Sequence, residues 1–247
     1  MNSLTFNGVD LGAHGLIVRE ADLDDSKIAT QLLQLKDRAY GGIADREPNI
    51  IDPNISVYGS TKNELKSNLD FIKLTLDQEL DKELIFDKYP DRYFMAKKVV
   101  MDGKNRGPLL WEGHIRFECA IPLGYGVVEV ASVHTIDADP KTVTETPGGT
   151  GSIRPVYLLT ATAALGAVIV LLKNTTTDEQ LRWTGTLANT NTLEIDTVTW
   201  LVKKNGVASM ATMSGQFPTL LPAQANSLKV TGIASATLTV TYRNRFI

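Results

Sequence analysis

Apolar and polar residues alternate with a period of two over much of this chain. The stretch Leu193 to Gly206, LEIDTVTWLVKKNG, shows the pattern most fully. Leu193 and Ile195 alternate with polar residues, the phase slips at Asp196-Thr197, and Val198, Trp200 and Val202 then alternate up to Lys203-Lys204-Asn205-Gly206. Side chains on a strand change face at every residue, so a slip of one position requires a tight turn or a bulge. Asn205 and Gly206 both tolerate positive φ, which predicts a type I′ hairpin turn. The stretch reads as two short antiparallel strands with a return strand over Val207 to Met213. From Ala236 to Ile247, Leu238, Val240, Tyr242 and Phe246 share one face while Thr237, Thr239, Thr241, Arg243 and Arg245 share the other, a half-buried strand. The last hundred residues or so therefore form an antiparallel β domain.

The rest of the chain carries more of the same, with one helix. Leu4 to Val9 alternates around Asn7-Gly8 and predicts a hairpin. Strands are also expected at Leu16–Val18, Ile28–Leu35, Ile55–Tyr58, Leu84–Phe86, Tyr93–Ala96, Val99–Met101 and Trp111–Cys119, with a loop at Asp102–Pro108. Asp37 to Asn54 is polar, with Gly41, Gly42, Pro48 and Pro53, and reads as a functional excursion or a mobile loop. Thr61-Lys62-Asn63-Glu64 fits a capping box, and Leu65, Leu69, Ile72 and Leu76 follow on one helical face that would cover a sheet. Val156 to Leu172 is uncharged and would reach about 26 Å as a helix. Thr160, Thr162 and Gly166 interrupt it and Pro155 precedes it, so two buried strands, Val156–Ala161 and Ala167–Leu172, are expected instead. Asp137 to Ser152 is rich in Pro, Gly and Thr, which places a linker at 139–152 between an N-terminal domain at 1–138 and a C-terminal domain at 153–247.

Composition narrows the function. A chain of 247 residues, 43% hydrophobic and 21% charged, can fill two ordinary cores. A net charge of −3 argues against a nucleic-acid partner. Cys119 is the single cysteine, so no intrachain disulfide exists, and beside Phe117 it reads as a small core residue. MNSLTFNGVD lacks a basic segment followed by an apolar run, so no signal peptide is expected and folding is expected in the cytosol. Asp22, Asp24 and Asp25 lack the glycine and distal glutamate of a calcium loop. Asp77, Glu79, Asp81 and Glu83 stand where a helix gives way to a strand, and read as a solvated connection rather than an acid–base pair. Gly148-Gly149-Thr150-Gly151-Ser152 lacks the lysine of a phosphate loop, and no Gly-x-Ser-x-Gly, His-Glu-x-x-His or Cys–His pairing occurs. No catalytic, cofactor-binding or metal site is expected, and the chain does not read as an enzyme.

Several segments, taken in order, resemble the siphovirus tail-component family, the distal tail proteins of long-tailed phages. They are LTFNGVDL, ISVYGSTKNEL, KELIFDKYPDRYFMAKKV and IRFECAIPLGYG in the first half. The second half contributes IRPVYLLTAT, LEIDTVTWLVKKNG, FPTLLP followed by Asn226-Ser227-Leu228, and VTYRNRFI. The chain departs from the family at Pro222-Ala223-Gln224-Ala225-Asn226, where relatives usually carry Pro-Gly before the asparagine. The resemblance implies an α+β and all-β architecture: a mixed α/β ring-forming domain, then a galectin-like antiparallel β-sandwich. It implies a hexameric ring at the distal end of a virion tail, assembled in the host cytoplasm. The implied partners are the tail tube protein, the tail-tip protein and receptor-binding proteins, with neither nucleic acid nor membrane insertion. The N-terminal hairpin and Asp37 to Asn54 are the candidate ring contacts.

The rival reading is a carbohydrate-binding adhesion module. Galectins use His-x-Asn-x-Arg on one strand; that motif is absent, and His14, His114 and His134 all precede the expected sandwich. Trp183 and Trp200 remain as residues able to stack on a sugar, although tryptophan on a sandwich strand more often serves core or interface.

Overall fold

Asn7 and Gly8 adopt φ of 51° and 77° and fold strand β1 (Leu4–Phe6) back on β2 (Val9–Asp10), the two-residue turn that left-handed dihedrals permit. The computed structural model describes residues 2–20, 49–119 and 124–246. The chain separates into two compact units, the first running to Val127 and the second from Val128 to Phe246. The aspartates at 22, 24 and 25, the strand expected at 28–35 and most of the 37–54 passage lie outside the described residues.

In the first unit the chain continues through β3 (Leu16–Glu20), β4 (Asn49–Ile51), β5 (Asn54–Tyr58), helix α1 (Lys62–Leu76), β6 (Lys82–Phe86), β7 (Arg92–Gly107), β8 (Leu110–Cys119) and the start of β9 (Gly124–Ile136). Every pairing is antiparallel: β1 with β6, β6 with β7, β7 with β8, and β8 with both β4 and β5. The predicted cap forms at Thr61, whose Oγ1 accepts from the Glu64 amide at 3.1 Å. The Glu64 carboxylate accepts from the Ser60 amide at 2.9 Å, so the reciprocal arm reaches one residue farther back than the standard box. Leu65, Ile72 and Leu76 are buried and Leu69 partly so, in one core with Phe6, Ile55 and Phe117.

The loop expected at 102–108 is instead the far end of β7. Gly103 pairs with Gly113 across the β7–β8 ribbon. A Cβ on Gly113 would lie 2.0 Å from the Asp102 carbonyl and 2.5 Å from the Trp111 ring. Glycine is needed there for close approach of two strands, not for a turn, and the reversal waits until Pro108-Leu109.

The second unit takes the end of β9 and then β10 (Lys141–Glu145), β11 (Val156–Ala161), β12 (Gly166–Asn174), β13 (Glu179–Leu187), β14 (Thr192–Asp196), β15 (Leu201–Lys204), β16 (Val207–Ala208), β17 (Met213–Gly215), β18 (Asn226–Thr231) and β19 (Ala236–Phe246). One sheet runs β16-β15-β14-β11-β19 and the other β10-β18-β12-β13-β17. Their inward rows, including Tyr157, Leu172, Trp183, Ile195, Val230 and Leu238, form one core. The 156–172 run is two strands, as its breaks predict, but each is half-buried and they lie in different sheets. Where composition predicts a tether at 139–152, Lys-Thr-Val-Thr-Glu forms strand β10 on β18, with Val143 and Glu145 turned inward.

Two further expectations are corrected by side-chain hydrogen bonds. The Asp196 carboxylate accepts from the amides of Val198 and Thr199 at 2.8 and 3.1 Å, an Asx turn that holds 197–200 out of the strand. Trp200 then sits at φ 59°, and the alternation resumes only at Leu201. The return strand is limited to Val207–Ala208 before a 3₁₀ turn at Met210–Thr212. At the family departure, Ala223 takes φ 53°, a left-handed conformation costing a non-glycine residue roughly 1–2 kcal/mol. Asn226 secures that loop, donating to the carbonyls of Leu221 and Gln224 at 2.8 and 3.0 Å and accepting from the Leu221 amide at 2.8 Å. Among the described residues no helix is long and apolar enough to cross a membrane.

Tyr157 is fully buried and donates its hydroxyl to the Pro218 carbonyl at 3.2 Å. Burial, with lesser contributions from the charges of Glu179 and Glu145, pushes its phenol well above the ordinary 10.0. Above that pH the unfolded phenol has released its proton while the folded one keeps it, so stability falls as pH rises further. Tyr157→Phe is expected to cost about 1 kcal/mol at neutral pH through the lost hydrogen bond. It should also flatten the decline of stability above pH 10, read by denaturant titrations at several pH values; an equal decline in both proteins would refute this assignment.

Candidate functional site

Among the described residues, none of the chemistry-bearing clusters of the sequence closes into a reaction centre. Asp77 caps the end of α1 and pairs with Lys98 at 3.3 Å, and its neighbours in the carboxylate run lie in the solvated turn and the start of β6. Among the described residues no group of three His, Cys, Asp or Glu side chains is placed to hold a metal ion. The Gly148–Ser152 segment lies along β19: the Thr150 and Gly151 amides both donate to the Arg245 carbonyl, at 2.9 and 3.0 Å. Those amides would be the ones to cradle a phosphate, and they are committed. Cys119 is buried, and desolvation, reinforced by Asp81 and Glu118, pushes its thiol up to about 12. A thiol held protonated is not a nucleophile.

One constellation was not visible from spacing. His134, which the sequence places ahead of the sandwich, stands on β9 within the second unit. Its Nε2 and the Ser132 hydroxyl both meet Glu145 Oε1, and the Tyr242 hydroxyl donates to Oε2 at 3.4 Å. Burial, then Glu145, pushes the Tyr242 phenol up. The trio of Ser, His and Glu is not arranged as a hydrolytic one, because the serine and the histidine converge on the same carboxylate oxygen and the imidazole nitrogen is turned to that oxygen instead of to the hydroxyl. It is a satisfied polar cluster that ties β9, β10 and β19 together.

The two tryptophans named as sugar platforms have different fates. Trp183 is buried in the core and donates Nε1–H to Ser209 Oγ at 3.0 Å. Trp200 is 48% exposed, with the Arg154 guanidinium 5.1 Å from its ring centroid and Phe217 meeting it edge-on at 5.3 Å. Those neighbours take up much of the face a sugar would need. In the first unit, Leu74 and Leu80 are 75% and 72% exposed, beside the partly exposed Phe71 that stacks on His14. Both units thus present exposed apolar side chains on their strands, turns and helix.

Residues 148–246 match the family described as siphovirus-type tail component, C-terminal domain. The crystal structure of the phage SPP1 Dit protein, called a paradigm of hub adsorption apparatus in phages infecting Gram-positive bacteria, matches with a TM-score of 0.72 and 16% identity over 100% of both chains. At that identity the likeness is one of fold. A chain of the phage P2 baseplate in its activated conformation matches at a TM-score of 0.45 and 8% identity, over 99% of this chain and 98% of that one, too remote to carry an argument. No curated protein sequence matches.

The burial of Cys119 sets a direct check. At about pH 8, where an ordinary thiol reacts readily, Ellman's reagent is expected to leave the native protein unlabelled and to titrate one thiol per chain after denaturation. Fast labelling of the native form would overturn the assignment.

Proposed function

We propose, for a chain whose residues 148–246 belong to the siphovirus-type tail component family, the role of distal tail protein: a structural baseplate hub of a long-tailed phage. The observation that carries this reading is the conjunction of the family match in the second unit with a likeness to the SPP1 hub fold spanning both units. The first unit serves as the ring-forming body and the second as a galectin-like sandwich on its outside. Six copies close into a ring that joins the tail tube to the tail-tip protein and gives receptor-binding components a platform, at the distal end of the virion tail after assembly in the host cytoplasm.

Physical reasoning supports a ring for such a chain. A head-to-tail contact whose rotation closes holds each subunit on two sides, so modest interfaces add up. Roughly 800 Å² per partner is enough for one such contact. The N-terminal hairpin, with the passage from Asp37 to Asn54, is the proposed ring contact. The partly exposed Trp200 keeps carbohydrate binding as a second reading, which a glycan array on the purified chain tests: binding lost in Trp200→Ala would favour it, and an empty array would retire it.

Light scattering of the purified chain is expected to give six times the chain mass, and negative-stain micrographs a ring. A strict monomer at high protein concentration would overturn the proposal.

A further inference from the structure

Two oppositely charged surfaces of the first unit lack charged partners among the described residues. The first is a cavity of about 690 Å³ bordered by Ser3, Asp10, Gly12, Leu16, Tyr58 and Asp87. Asp10 accepts from the Gly12 amide through Oδ1 at 2.8 Å, and Asp87 accepts from the Ser3 amide through Oδ2 at 2.9 Å. Among the described residues neither carboxylate has a cation. Between them Ser3, 7% exposed, buries a hydroxyl with no hydrogen-bond partner. Gly12 leaves room for that hydroxyl, since a Cβ there would stand 2.5 Å from Ser3 Oγ. Arg19 reaches the Tyr58 hydroxyl at 3.4 Å but is paired with Glu112. An orphaned buried hydroxyl is costly, and two carboxylates beside it make a cradle for a group that only donates, an ammonium or a guanidinium. Leu16 and Ile17 supply an apolar wall for the stem of such a side chain.

The second surface is on α1. Lys62, Lys66 and Lys73 follow at spacings of four and seven, which at about 100° per residue sets them on one flank. All three are exposed, and none forms an ion pair among the described residues. Lys62 opens the helix, where the helix dipole disfavours a cation, so folding does not account for its charge. The other flank faces the cavity side: Asn68 donates to the Tyr58 carbonyl at 3.0 Å and the Phe71 ring stacks on His14 at 3.7 Å. The acidic cavity and the lysine row therefore lie to either side of α1.

Unlike patches at separate places on one body are what a head-to-tail contact between identical chains requires. We propose that a second copy of this chain seats a lysine of the α1 row, with Lys66 at its centre, in the cavity formed by Ser3, Asp10 and Asp87. This rests on the self-association proposed above.

Sedimentation velocity of the full chain tests it. Wild type should assemble, and Asp10→Asn with Asp87→Asn, or Lys66→Glu alone, should weaken association about tenfold and reduce its sensitivity to salt, with circular dichroism and melting unchanged. Lys66→Glu combined with Asp87→Lys restores the opposite charges and should recover part of the loss, which misfolding would not. Should a variant fail to fold, zero-length carbodiimide coupling of mixed labelled and unlabelled wild type supplies the answer. A cross-link from Asp10 or Asp87 to an α1 lysine of another copy is expected, and its absence from assembled protein would overturn the inference. Variants that fold and assemble as wild type would overturn it and leave the ring standing, whereas a wild type that never assembles would overturn both.

Discussion

A strand can bury one face only by finding a cover for it, and this requirement organises both units. In the second unit the inward rows of β11, β14 and β19 carry Tyr157, Leu159, Leu193, Ile195, Leu238 and Val240, and the facing sheet answers with Leu172, Trp183, Leu228 and Val230. Each buried side chain of this kind contributes about 1.5–3 kcal/mol relative to exposure. Removing either sheet would strand the whole inward face of the other. In the first unit, with its own separate core, α1 contributes the apolar row Leu65, Leu69, Ile72 and Leu76 as cover. The outward rows are then left to threonines, lysines and arginines, with apolar exceptions such as Val133 and Ile169.

Much that depends on neighbours in sequence is legible in the sequence itself. The hairpins at Asn7-Gly8 and Asn205-Gly206 follow from residues that accept positive φ, and the start of α1 follows from the Thr61 hydroxyl and the Glu64 carboxylate. Cys119 was legible as core because it continues the inward row of Ile115 and Phe117. Period-two alternation failed at Val198 and Trp200, where one Asp196 side chain satisfies two amides and wins against a short strand. Composition failed at 139–152, because a polar threonine-rich edge strand and a tether look alike until a partner strand is known. Gly103 reads as a loop residue although its role, with Gly113 opposite, is close strand approach.

The candidate sites were less legible, since they are made by distant segments. Ser3 and Asp87 are 84 positions apart, and no local pattern joins them. Glu145 gathers Ser132, His134 and Tyr242 from two other strands. The lysine row on α1 was readable as a spacing, but only the fold shows that the opposite flank carries Asn68 and Phe71 toward Tyr58 and His14. On the proposed reading, function is written in these long-range juxtapositions more than in motifs.

Two of the border strands in the second unit are very short. β16 spans two residues and β17 three, leaving little unsatisfied backbone along those rims for a stray polypeptide to zip onto. Two such rims are poor templates for edge-to-edge growth of a fibre, so a folded copy resists that route to aggregation.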